Sequence, residues 1–116
     1  MPRDLRASQA LQLWREVTLH LVREGEGDLS LRQSAVLLTV YLDPPPHTVR
    51  GLAAKLGVTK PVITRALDAM GQKGLLTRRR DEKDRRNVVV QRTLGGAMAV
   101  QKLGDLVIEE FRRLPL

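Results

Sequence analysis

"TVRGLAAKLGVTKPVITRALDAMGQKG", residues Thr48–Gly74, is the stretch on which the fold turns. Thr48 can cap a short helix, "VRGLAAKL", closed by Gly57, and Thr59 can cap a second, "KPVITRALDAMGQK", with Pro61 tolerated in its first turn and Gly74 at its end. Two short helices joined by a tight Gly57-Val58 connection predict a helix-turn-helix. In the second of them Ile63, Ala66, Leu67 and Met70 recur at helical spacing and predict the inward stripe. Lys60, Pro61, Thr64, Arg65 and Asp68 are left facing out.

Immediately downstream, "LLTRRR" and "NVVVQRT" are short β-like runs joined by "DEKDR", which predicts a β-hairpin with a basic tip. The tip, "RRRDEKDRR", packs six basic and three acidic side chains into nine residues, Arg78–Arg86. Upstream, Ser30 followed by Gln33 has the form of a capping box opening a largely buried helix, "LRQSAVLLTVYL", which "DPPP" ends because consecutive prolines supply no amide donors. In that position "DPPP" reads as a rigid turn rather than a docking motif, and His47 after it as loop. An amphipathic helix over residues 4–24 precedes, with Ala10, Leu13, Trp14, Val17 and Leu21 on its apolar side. Thr93–Gly96 breaks the pattern before a last helix over 97–114, in which Val100, Leu103, Val107, Phe111 and Leu114 repeat. The expected fold is mainly α with a small β-hairpin: one domain, residues 1–116, whose winged helix-turn-helix core at 30–93 is flanked by an N-terminal and a C-terminal helix.

At 116 residues and 42% hydrophobic, the chain suits one core. It has no cysteine, and His20 and His47 stand far apart, so thiol and metal chemistry are not expected; nor is any cofactor. No apolar run is long enough to cross a bilayer, and "MPRDLRASQALQLW" lacks a signal peptide's apolar block, so a soluble, cytoplasmic protein is expected. The net charge of +7 is unevenly placed: residues 31–93 hold thirteen Lys or Arg against five Asp or Glu, while the segments on either side are close to neutral. Basic charge confined to one segment draws in a polyanion, which makes nucleic acid the leading partner. Only three aromatic residues argue against single-strand binding, which needs exposed stacking platforms. No paired carboxylate, activated nucleophile or glycine-rich phosphate loop suggests an enzyme.

Across roughly residues 28–96, "SLRQSAVLLTVYL" and "TVRGLAAKLGVTKPVITRALDAMGQKGLLTRRRDEKDRRNVVVQRTLGG" resemble the MarR family of bacterial transcription regulators. The resemblance implies a recognition helix at Thr59–Lys73 whose first two turns enter the DNA major groove. There Lys60 and Thr64 would reach base edges, Pro61 a thymine methyl, and Arg65 either a guanine or a phosphate, with Thr59 at the helix start counted among the DNA-binding residues. The family's wing signature, an Asp followed two residues later by an Arg, falls on Asp84 and Arg86; the arginine would enter the minor groove, held by the aspartate. Arg85 adjoins it, Lys83 belongs to the same tip, and Arg78, Arg79 and Arg80 are more generic phosphate binders.

The implied function is sequence-specific binding of double-stranded DNA by a homodimeric transcriptional repressor on a palindromic operator. The competing expectation is a winged-helix module that binds a protein partner or structured RNA. Family members usually continue into two further helices that knit the dimer, whereas this sequence stops about twenty residues after "TLGG". The stripes left for a dimer interface are Leu13, Trp14 and Val17 with Leu103, Val107 and Phe111; the other reading is that both stripes only cover their own chain's core. Relatives bind small aromatic effectors between the dimer helices and the DNA-binding lobe. Trp14 and Tyr41 either line such a pocket or pack in the core.

Overall fold

A computed structural model of the chain describes residues 4–24 and 29–115. The chain forms two compact units, residues 29–100 and residues 1–28 with 101–116. The first holds the predicted core. It opens with helix α2 (Leu31–Leu42), and Ser30 and Gln33 form the capping box reciprocally, each side chain accepting from the other's backbone N–H at 3.0–3.1 Å. Helix α3 (Val49–Leu56) is capped by the Thr48 hydroxyl, which accepts from the Gly51 amide at 2.9 Å. It closes on Gly57 at φ 68°, the left-handed conformation that lets the chain turn at once into helix α4 (Lys60–Gln72). Thr59 occupies the N-cap position of α4, but its side chain makes no capping bond there.

The predicted stripe packs as expected. Ile63, Ala66, Leu67 and Met70 of α4 are buried with Val36, Leu37 and Val40 of α2 and Val49, Leu52 and Ala53 of α3. Strands β2 (Leu76–Arg80) and β3 (Val88–Arg92) form the hairpin in a register that pairs Leu76 with Arg92 and Arg80 with Val88. The sheet has a third strand that the sequence did not announce. His47, expected in a loop, lies with Thr48 in the two-residue strand β1, paired antiparallel to Val90 and Val89. The proline turn folds the chain back along β3, where His47 is buried and its Nε2 lies 3.1 Å from the Asp43 carbonyl.

Helix α5 (Leu94–Arg112) also departs from expectation, starting before the glycine pair instead of after it. Thr93 acts as its cap: the hydroxyl accepts from the Gly96 amide at 2.9 Å and donates to the Gly74 carbonyl at 2.7 Å. Gly95 and Gly96 therefore sit inside the first turn. A Cβ at Gly96 would overlap the Tyr41 hydroxyl and the Leu75 carbonyl, so glycine there permits a close approach rather than breaking the helix. The Tyr41 hydroxyl accepts from the Thr93 amide and faces the carbonyls of Leu75 and Thr93, all at 3.0 Å.

The other unit contains helix α1 (Ala7–Glu24) and the rest of α5. Val17 and Leu114 are buried, whereas Leu11, Trp14, Val22 and Ile108 remain exposed. Among the described residues no helix is long and apolar enough to cross a membrane.

Candidate nucleic-acid interface

Strand alternation decides which of the hairpin arginines can act together. Leu76, Arg78 and Arg80 share one face of β2, and because Leu76 and Arg78's cross-strand partner Val90 are buried, that face is turned to the helices. Thr77 and Arg79 lie on the other face. The result is a hollow of about 320 Å³ between the hairpin and the outward side of α4, lined by Lys60, Thr64, Arg78, Arg80 and Arg86 together with Arg50 and Asn87. Five of the residues singled out from the sequence thus converge. Thr59, Pro61 and Arg65 are exposed on or beside α4 without lining the hollow, and Arg79, Lys83, Asp84 and Arg85 lie outside it as well. Arg50 and Asn87 went unnoticed in the sequence, since "VRGLAAKL" reads as a supporting helix and Asn87 as the edge of a turn.

The acidic residues of the cluster build the wing. The Asp81 side chain accepts from the Lys83 amide at 2.9 Å, and the Asp84 side chain from the Arg86 amide at 3.1 Å, so each folds the chain over the residue two positions on. Asp84 also receives the Arg86 guanidinium, Nε at 3.1 Å and Nη2 at 3.4 Å, in a two-pronged contact. These bonds from Arg86, side chain first and backbone second, with a smaller contribution from the Arg50 charge, hold the Asp84 carboxyl below its ordinary range. The Arg86 side chain stays 84% exposed, oriented but not covered.

Two further contacts fix the hairpin's placement. Arg78 pairs with Asp68 on the outward face of α4, joining strand to helix, and Arg80 Nη1 donates to the Arg85 carbonyl at 2.8 Å, tying the strand to the wing loop.

A family model described as the MarR family matches residues 29–88, more than half of the chain. The chain belongs to the MarR family. A relative from Bacillus subtilis (strain 168), an organic hydroperoxide resistance transcriptional regulator, is 36% identical over 59 residues, which are 51% of this chain and 40% of that protein. The aligned part is thus well under half of that relative's length. Among solved structures, a crystal structure of MarR is 25% identical with a TM-score of 0.69, covering 95% of this chain and 76% of that one. The transcriptional repressor CouR bound to a 23-mer DNA duplex is 24% identical with a TM-score of 0.71, covering 90% of this chain and 71% of that one. These likenesses extend beyond the family match and take in the flanking helices.

Of the residues expected at a dimer interface in this MarR-family chain, Trp14 is 57% and Val107 37% exposed. Leu13, Leu103 and Phe111 are half-buried, and Val17, at 1%, packs within its own chain. A polar hollow of about 300 Å³ in the same unit is lined by residues such as Glu16, His20, Glu110 and Arg113, but by neither Trp14 nor Tyr41. Tyr41 packs instead against the winged-helix core.

Proposed function

We infer that this protein is a non-enzymatic, cytoplasmic transcription regulator that binds a specific double-stranded DNA sequence, as a homodimeric repressor on a palindromic operator. The observation that carries this reading is the hollow itself, where Lys60, Thr64, Arg78, Arg80 and Arg86 face one space between an exposed helix and an exposed wing. A protruding helix and a protruding hairpin tip, each carrying cations, match the major groove and the adjoining minor groove of a duplex. Lys60, Thr64 and Pro61 then meet base edges, Thr59 and Arg65 flank them, and Arg86 enters the minor groove with Asp84 holding its guanidinium. Arg80, Lys83 and Arg85 add positive charge along the backbone, with Arg78 held beside them by Asp68. Membership of the MarR family, a transcriptional regulator as relative and the shared fold of DNA-bound CouR support the assignment.

One winged helix reads too few base pairs to be selective, and a two-fold pair would set the recognition helices about 34 Å apart, one turn of DNA. The exposed apolar residues Trp14 and Val107 on the helices flanking the 30–93 core suit that pairing. The test is to enrich bound duplexes from a random pool and weigh the resulting complex by light scattering. A palindromic consensus occupied by two chains is expected. A pool with no enrichment refutes the function, and a non-palindromic consensus occupied by one chain refutes the dimer.

A further inference from the structure

We propose that Arg50, on the helix preceding the recognition helix, is a direct contact to the DNA phosphate backbone and a cation of the hollow whose charge no carboxylate pairs with. The proposal rests on the DNA-binding reading above. Its basis is the distribution of partners around the hollow. Arg78 is paired with Asp68 and Arg86 with Asp84, so both guanidinium charges are already met by a carboxylate. Arg80 keeps its charge, but its guanidinium is engaged by the Arg85 carbonyl. Among the described residues the Arg50 side chain makes no hydrogen bond or ion pair, and it acts on Asp84 only as a more distant charge. It nevertheless lines the same hollow as Lys60, Thr64 and Arg86.

The position is also preorganised. Val49 beside it is buried, and the Thr48 hydroxyl holds the Gly51 amide at 2.9 Å on the other side, so the backbone that carries Arg50 is fixed while its side chain is exposed. When a recognition helix occupies the major groove, the helix before it crosses the sugar-phosphate strand at the groove's edge. A guanidinium there meets phosphate oxygens rather than bases, which makes its contribution independent of sequence.

The experiment titrates the enriched duplex and a scrambled duplex across a salt series with wild type, Arg50→Gln, Arg50→Lys and Lys55→Gln. Lys55 lies on the same helix but pairs with Asp43 at 3.3 Å and does not line the hollow. Arg50→Gln should weaken both duplexes by the same factor and flatten the plot of log affinity against log salt by about 0.9 per bound chain. Raising salt from about 50 to about 200 mM should then cost the variant about 3.5-fold less affinity per chain than it costs wild type. Arg50→Lys should restore the slope, Lys55→Gln should match wild type, and all four should melt together. An unchanged slope in Arg50→Gln overturns the proposal, as does a change in the preferred base. Wild type that binds neither duplex overturns the DNA-binding reading itself, whereas wild-type binding that Arg50→Gln leaves intact overturns only the role of Arg50.

Discussion

Helix α5 contains two glycines at which the same substitution should act in opposite directions. Replacing glycine by alanine inside a helix ordinarily stabilises by up to about 1 kcal/mol, because glycine loses more backbone entropy on folding. A Cβ at Gly104 would have no neighbour within 4 Å, so Gly104→Ala should realise that gain and raise Tm by roughly 4 °C for a chain of this size. A Cβ at Gly96 would instead overlap the Tyr41 hydroxyl and the Leu75 carbonyl and stand 2.8 Å from Tyr41 Cζ. The carbonyl belongs to the backbone at the start of the hairpin and cannot swing aside as a side chain can. Tyr41 can move only by giving up the Thr93 amide that it accepts at 3.0 Å, and Arg92, whose guanidinium lies 5.7 Å from the ring centroid, loses its platform.

Forcing a methyl into a packed site costs about 1–3 kcal/mol, and a backbone amide left without a partner costs about 1–3 more. Less a helix gain of about 1 kcal/mol, these costs leave Gly96→Ala destabilised by about 1–5 kcal/mol. Urea unfolding read by circular dichroism measures both variants, with the midpoint shifting and the slope unchanged. Tyr41→Phe should remove part of the clash, so the double variant Gly96→Ala/Tyr41→Phe should lose at least about 1 kcal/mol less than the sum of the single losses. Gly96→Ala as stable as wild type would refute the packing described around Tyr41.

Two further outcomes test the interface. Thr64→Ala should change the base preferred at one operator position by roughly 1–3 kcal/mol, whereas Arg79→Gln, on the opposite sheet face, should leave every base preference as it was; random-pool selections on the two variants decide this. Because Arg86 depresses the Asp84 carboxyl, the contribution of that carboxylate to wing order is fully present above its ordinary value of 3.8 and is lost only as pH falls through the lower folded value. The Asp84 side-chain carboxyl carbon, followed by NMR, should therefore titrate with a midpoint below 3.8, and a midpoint at or above that value contradicts the Asp84–Arg86 contact.

What the sequence made legible was local. The Ser30–Gln33 box, the Gly57 turn and the Ile63–Met70 stripe each depend on residues a few positions apart, and periodicity and capping chemistry report those directly. What it hid depended on distance along the chain. His47 is a strand residue only because Val90 lies beside it, and although the Thr93 cap of α5 is local, the Tyr41 hydroxyl that packs against Gly96 comes from 52 residues before Thr93. The glycines of "TLGG" look like a helix break until the atoms packed against them are known. Within the interface, the pairing of Asp84 with Arg86 follows from the motif, but the charge pattern alone does not distinguish Asp81, which folds the loop over Lys83, from its solvated neighbour Glu82. The separation of Arg79 from its neighbours follows from strand alternation once the register is fixed.

The acidic residues explain why a segment with thirteen cations need not be a floppy polycation. Of its five acids, Asp43 pairs with Lys55, Asp68 with Arg78 and Asp84 with Arg86, and Asp81 folds the wing loop by accepting from Lys83. Each exposed pair contributes only about 0–1 kcal/mol to stability, too little to explain the pattern as a device for holding the fold. Their geometric effect is larger: they set the angle between α4 and the hairpin and the direction of the wing-tip guanidinium before any partner arrives. Ordering those long side chains in advance removes about 0.5–1.5 kcal/mol each from the cost of association. The same pairing also divides the cations into two kinds. Arg78 and Arg86, held by carboxylates, bring shape and little net charge, so the field that attracts a polyanion comes from the cations no carboxylate meets, Arg50, Lys60 and Arg80 in the hollow and Arg65, Arg79, Lys83 and Arg85 around it. On the proposed reading Lys60 serves both specificity and long-range attraction, whereas Thr64 would serve only the first and Arg50 only the second, so a substitution at either of those two should weaken one while leaving the other in place.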